Sequence, residues 1–394
     1  MKTIPYGHQF LDGADIKAVV KVLKSDWLTQ GPTIKKFEEA LCRYTGAKYA
    51  VAVSNGTAAL HIACLTAGIK HGDEVITSPI TFLASANCVV YCGGKVVFAD
   101  IREDTINIDP QEIKKKINQR TKAIISVHFA GHPYDVEEIY QIARQHKLMV
   151  IEDACHALGA QYNINGRWFK VGCCQHSDMA VLSFHPVKAI TTGEGGAVLT
   201  NQKDLYEKLL ALRNHGMVRD ASKGLWYYEM RAPGYNYRIT DIQCALGLSQ
   251  LKKLNRFISS RRKIARYYQK SFSRSPYLKV PMEQTKCKSA WHIYVLCLQL
   301  NRLKKTRRQI FEELRRKGIG VQVHYIPVHL QPFYREKFGY RKGDFSKAEA
   351  YYDGALTIPL FPQLSGYQYK YIIECVRIAL QNPKIFSRRK KNDK

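Results

Sequence analysis

No stretch of the chain approaches the roughly 18 unbroken apolar residues that a membrane-crossing helix needs. The opening residues, MKTIPYGHQFLDG, lack the apolar segment of a secretory signal. Cysteine occurs 11 times but without the spacing of a disulfide framework. An odd count with no export signal predicts a reducing, cytoplasmic setting, where buried thiols act as small hydrophobes. Acid is scarce. Asp and Glu number 33 against 61 Lys and Arg, a net charge of +28. No zinc-finger spacing, RRM signature or helix-turn-helix pattern accompanies that charge, so neither nucleic acid nor membrane is an expected partner. Two readings of the charge stay open: a solvated surface with a basic tail, SRRKKNDK (387–394), and a field that draws in anionic small molecules such as nucleotides. Internal repeats and low-complexity linkers are also missing.

What is present is a large apolar fraction, 45% of 394 residues, enough for two or three domains. Short apolar runs alternate with helical patterns from about residue 12 to about 250. YAVAVS (49–54) reads as a strand and GTAALHIACLTAG (56–68) as a small-residue helix with a glycine stop. EVITSP (74–79), KVVFADI (95–101), KAIISVHFAG (122–131) and MVIEDA (149–154) read as further strands, with helical patterns between them. This order predicts right-handed crossovers and an α/β fold with a mainly parallel sheet covered on both faces. Ligands of such sheets sit at the carboxyl ends of the strands. That rule singles out 54–57, 79–82, 152–156 and 183–188.

After RITDIQCALGLSQLKKL (238–254) the rhythm changes. Residues 1–254 are predicted to form an N-terminal arm and a large domain, and 255–394 a smaller α/β domain. In the latter, WHIYVLCLQL (291–300) reads as an alternating strand with one wet face.

Four segments carry chemistry. In SNGT a strand ends and a helix begins, so the amides of Gly56 and Thr57 face either an ordinary N-cap or an anion. In MVIEDACHALGA the strand delivers Asp153, and His156 three residues later; each reads as a locally paired group or as a cofactor contact. Phe82, in SPITFLASAN, reads as core or as an aromatic wall for a ligand. In SFHPVKAITTGEGGAVLTN, Lys188 lies between an apolar run and a glycine-rich turn that folds the chain back. A partly buried amine there is a nucleophile and a base, and Ser183 could hold an anion beside it. Together these groups supply what pyridoxal 5′-phosphate requires: an amine for its aldehyde, a carboxylate for its ring nitrogen, an aromatic wall and a phosphate cradle.

With that set, the sequence resembles the nucleotide-sugar aminotransferases of fold type I over nearly its whole length. LTQGPTIKKFEEAL (28–41), SNGTAAL, EDACHALGA, SFHPVKAITTGEGGAVLTN, RNHGM (213–217), GYNYRITDIQCALGLSQL (234–251) and VQVHYIPVH (321–329) carry the resemblance, in order. It implies an aspartate aminotransferase-like fold and pyridoxal phosphate as cofactor. Lys188 would be the Schiff-base lysine and Asp153 the partner of the ring nitrogen. His156 would approach the ring hydroxyl and Phe82 stack on the ring, while Gly56, Thr57 and Ser183 hold the phosphate. Asn236 would reach the phosphate from a second subunit, making a homodimer with a shared active site. Tyr6, Asp26, Trp27, Leu28, Thr29, Gln322, Val323, His324 and Tyr325 match sugar-nucleotide contacts, with His329 added to them.

Relatives with histidine at the lysine position are dehydratases; lysine here favours amino transfer. SFHPVKAITT together with QVHY is most similar to members acting in pseudaminic acid biosynthesis. The implied substrates are a UDP-linked 4-keto-6-deoxy-N-acetylhexosamine and L-glutamate. Another 4-keto sugar, of bacillosamine, perosamine or 4-amino-arabinose type, is the alternative. The segment VGCCQHSDMA (171–180) departs from the family pattern. Adjacent Cys173 and Cys174 are poorly spaced for zinc even with His176, so no metal is expected.

Overall fold

The computed structural model describes residues 3–381. The basic cluster 387–394 lies outside the described residues. Seven strands form the main sheet: β1 (Tyr49–Val53), β2 (Glu74–Thr77), β3 (Lys95–Phe98), β4 (Thr121–Val127), β5 (Met149–Asp153), β6 (Met179–Ser183) and β7 (Gly196–Thr200). Their spatial order is β1-β7-β6-β5-β4-β2-β3, and only β7 runs antiparallel to its neighbours. The sheet is therefore mainly parallel. The glycine-rich turn after Lys188 is what reverses the chain from β6 into β7, pairing Ser183 with Gly196.

The strands are mostly apolar because both faces are covered. Ala50 and Ala52 join one buried cluster, and Val51 and Val53 join the other. The same alternation splits Val150 from Ile151 and Val75 from Ile76, as a period of two requires. The helix Gly56–Thr66 is buried nearly all round, which explains its run of small residues.

A smaller antiparallel sheet joins Leu278–Lys279, Tyr294–Leu298 and Ala355–Ile358. The wet face expected for the middle strand is absent. Tyr294, Leu296 and Leu298 enter a third buried cluster, and Val295 packs into a cluster of the main sheet. This strand is sandwiched between two layers rather than lying at a surface. The helix Leu254–Phe272 begins at the expected boundary and links two clusters, with Leu254 and Phe257 in the first and Tyr268 and Phe272 in the third.

Arg261, in the middle of that helix, is fully buried without a carboxylate partner among the described residues. Burial lowers its guanidinium to about 10. Its Nη1 donates to the carbonyls of His292 (2.9 Å) and Leu360 (2.8 Å), tying the helix to the turn that enters the small sheet. Arg261→Ala leaves these carbonyls unpaired and is expected to cost about 3 kcal/mol. Thermal or denaturant unfolding of the variant measures that loss.

Candidate active site

The four strand-end segments converge on one cavity of about 690 Å³. Its lining includes Gly56, Thr57, Phe82, Asp153, His156, Ser183 and Lys188, together with Tyr6, His324 and Tyr325. Lys188 is half-buried beyond the end of β6. Burial lowers its amine from the usual lysine range, against the pull of Cys155 and Asp153. The amine is thus more readily deprotonated than an exposed lysine.

Asp153 closes β5 and is 5% exposed. Its Oδ2 accepts a hydrogen bond from Ser85 Oγ at 2.6 Å, and its Oδ1 accepts one from the Cys155 amide at 3.2 Å. Ser85 in turn lies 2.7 Å from Thr81 Oγ1. The carboxylate is fixed on two sides with lone pairs left over for a cation in the cavity.

The cradle forms where the helix Gly56–Thr66 meets β6. Asn55 caps that helix by accepting from the Ala58 amide at 2.8 Å. The amides of Gly56 and Thr57 belong to its first turn and have no intrahelical acceptor. A Cβ on Gly56 would lie 3.0 Å from Ser183 Cβ, and one on Gly196 would lie 2.5 Å from Asn55 O. Glycine keeps this hollow open. Amides, a helix terminus and two hydroxyls make it an anion site.

Phe82 is 56% exposed at the cavity, so it is a wall and not core. Tyr325 OH sits 3.2 Å from His156 Nε2, while His156 Nδ1 is buried without a partner among the described residues. The His156 and His292 rings are tilted by 32° with centroids 4.3 Å apart. Burial, then Lys188 and His324, drives the His156 ring well below its usual range. Burial, then Lys188, brings His324 to about 4. Both of these rings are neutral near pH 7.

Other expected site residues lie elsewhere in the single chain. Asp26, Trp27, Leu28 and Thr29 are exposed, and Asn236 is exposed beside its bridge partner Asn214. Gln322 is exposed and pairs by backbone with Thr357; Val323 packs on the core. His329 does not reach the cavity. It is 0% exposed, with Nε2 at 3.0 Å from Glu349 Oε1, because the short turn Val328–Leu330 points it inward.

Ser85, His292 and Tyr237 line the cavity without having been singled out. The segment 171–180 is bonded to neighbouring strands: His176 Nδ1 lies 3.0 Å from Tyr162 OH, and Cys174 Sγ donates to Leu199 O at 3.4 Å. Among the described residues, no three His, Cys, Asp or Glu side chains gather as metal ligands do.

These residues fit pyridoxal phosphate: a desolvated amine, an anchored carboxylate, an open anion cradle and an exposed aromatic wall share one cavity.

The comparisons agree. Among curated relatives, uncharacterized protein MJ1066 of Methanocaldococcus jannaschii is 46% identical over 89% of this chain and 91% of its own. Spore coat polysaccharide biosynthesis protein SpsC of Bacillus subtilis is 40% identical, over 95% and 96%. The UDP-4-amino-4,6-dideoxy-N-acetyl-beta-L-altrosamine transaminase of Campylobacter jejuni is 38% identical, over 97% and 98%. Among solved structures, Helicobacter pylori PseC, an aminotransferase of pseudoaminic acid biosynthesis, matches with a TM-score of 0.89 at 36% identity, covering 96% of this chain and 99% of that one. The PLP form of Spr1654 from Streptococcus pneumoniae matches with a TM-score of 0.88 at 28% identity, covering 96% and 100%. The DegT/DnrJ/EryC1/StrS aminotransferase family model matches residues 9–377. The chain belongs to that family and is a pyridoxal phosphate-dependent aminotransferase.

Proposed function

We propose that this enzyme moves an amino group from L-glutamate to C4 of a UDP-linked 4-keto-6-deoxy-N-acetylhexosamine, UDP-2-acetamido-2,6-dideoxy-β-L-arabino-hex-4-ulose, in pseudaminic acid biosynthesis. The observation that carries amino transfer is the meeting of Lys188, Asp153 and the Gly56–Thr57–Ser183 cradle in one cavity. Likeness to the Campylobacter jejuni transaminase and to PseC supports the sugar.

The bound cofactor supplies an electron sink for charge at the donor's α-carbon. Lys188 would hold the cofactor, and its amine would take the proton from that α-carbon and deliver one at sugar C4. Asp153, held by Ser85, would keep a proton on the ring nitrogen. Phe82 and His156 would border the ring. Gly56, Thr57 and Ser183 would hold the phosphate. Tyr6, His324 and Tyr325 border the space left for the sugar.

Asn236 and the segment 26–29 are exposed, which supports their completing the site of a second subunit in a homodimer. All 11 cysteines are free, in keeping with a reducing cytoplasm. No helix among the described residues is long and apolar enough to cross a membrane.

A second reading is transfer to another nucleotide-linked 4-keto sugar, of bacillosamine, perosamine or 4-amino-arabinose type. The similar identity to SpsC supports it. Incubation with glutamate and each C5 epimer of UDP-4-keto-6-deoxy-GlcNAc separates the two. Amine on the L-arabino epimer, with C4 configuration read by NMR, is expected; turnover on neither epimer rejects the proposed sugar.

Ser85→Ala removes a hydroxyl bonded to a charged group and is expected to lower kcat/KM about tenfold or more. Ser85→Thr should restore part of it. A change in the pH dependence of cofactor absorbance would distinguish an effect on Asp153 from mere loss of packing.

A further inference from the structure

A second cavity, of about 500 Å³, shares no lining residue with the first. Phe129 and Tyr351 line it and back onto the catalytic wall. The Phe129 ring lies 6.4 Å from Tyr325, and Tyr351 OH donates to His324 O at 2.8 Å.

Its backbone is unusual. Ile106, Ala130 and Trp291 all line it, with φ of +64°, +56° and +50°. Eight described non-glycine residues have positive φ, so three of them meet at this one place. A β-branched residue and a tryptophan seldom adopt that conformation. The surrounding structure enforces it. Ala290 N donates to Gly131 O and His292 N to Ala130 O, both at 2.9 Å, locking two of the strained turns together. Arg261 holds the His292 carbonyl from behind, and Asn107 Oδ1 accepts from the Phe129 amide at 2.8 Å. Strain sustained in this way concentrates at ligand clamps and active sites. Thr105 adds a buried hydroxyl with no partner among the described residues.

The lining defines the ligand. Trp291, Val295, Leu298 and Met282 give it an apolar body. Lys279, Glu103 and Asp353 also line it; they are exposed and make no ion pair among the described residues. Apolar concavities with a few convergent polar groups are the usual form of small-molecule sites. We infer that this cavity binds a small zwitterion with an apolar, ring-sized body, the chemistry of an aromatic α-amino acid. Lys279 receives the carboxylate, and Glu103 with Asp353 receives the ammonium group.

The test is calorimetric titration of L-phenylalanine into the full-length holoenzyme, which needs no turnover and so stands apart from the proposed reaction. Saturable binding is expected. Ala350→Trp, at an exposed position on the helix Ser346–Gly354 beside the cavity, should abolish it. Lys279→Glu should weaken it by about tenfold or more. Phenethylamine and 3-phenylpropionate, each missing one charge, should bind at least about tenfold less tightly. Absence of saturable binding overturns the inference. So does binding that survives Ala350→Trp, which would belong to the Lys188 cavity. Equal binding of the singly charged analogues overturns the zwitterion assignment. If Ala350→Trp does not fold, Lys279→Glu decides, and unchanged affinity there rejects the site.

Discussion

Lys188→Ala is expected to abolish amino transfer, with a loss of more than about 10⁴-fold, the upper end of what a positioned acid–base group supplies. The variant loses both the covalent hold on the cofactor and the group that moves the proton. Burial tunes this amine downward, so the residue is suited to accept as well as donate. The cradle of Gly56, Thr57 and Ser183 is untouched by the substitution. Cofactor should therefore still bind, released by dialysis more readily than from the parent. Steady-state turnover and equilibrium dialysis together read this outcome. Normal turnover by the variant would remove Lys188 from the reaction.

Asp153→Asn is expected to fold normally, to bind cofactor more weakly and to lose about 10²–10³-fold in kcat, the scale for removal of one preorganised electrostatic group. The amide keeps an oxygen for Ser85 and for the Cys155 amide, so the side chain can stay in place. What it lacks is the negative charge that, in the proposed role, would keep a proton on the cofactor's ring nitrogen. Both half-reactions would depend on that proton. Single-turnover rates with glutamate and with the keto sugar should therefore fall together. A variant slow in only one of them would show that Asp153 acts through substrate binding instead.

Much of this site is legible in the sequence because parallel sheets present their strand ends along one edge. SNGT, SPITF, EDACH and SFHPVK each follow an apolar run, and the structure brings all four to the same cavity. Ser85 escapes that logic. It lies in the first turn of the helix Ala84–Tyr91, and its partner Asp153 is 68 residues away. A serine in TFLASANC carries no local mark of that contact. His292 is hidden for a similar reason, inside an apolar run that reads only as strand. His329 shows the opposite error: it follows QVHY closely in sequence, yet one short turn buries it against Glu349. In the small sheet, alternation in 291–300 predicts a face toward water, whereas helices and the large domain cover both sides.

The strained turns of the second cavity were equally silent. Nothing about Ala130 or Trp291 as residue types foretells a positive φ; their turns are held by hydrogen bonds between segments about 160 residues apart, such as His292 N to Ala130 O.

The central claim is chemical: the side-chain nitrogen at position 188 carries the cofactor. Purified protein saturated with pyridoxal phosphate, reduced with borohydride and digested, tests it in one mass spectrum. The account predicts a pyridoxyl mass increment on the peptide containing Lys188 and on no other, with loss of the visible absorbance on reduction. An unmodified Lys188 peptide, or a stoichiometric adduct on a different lysine, would contradict it.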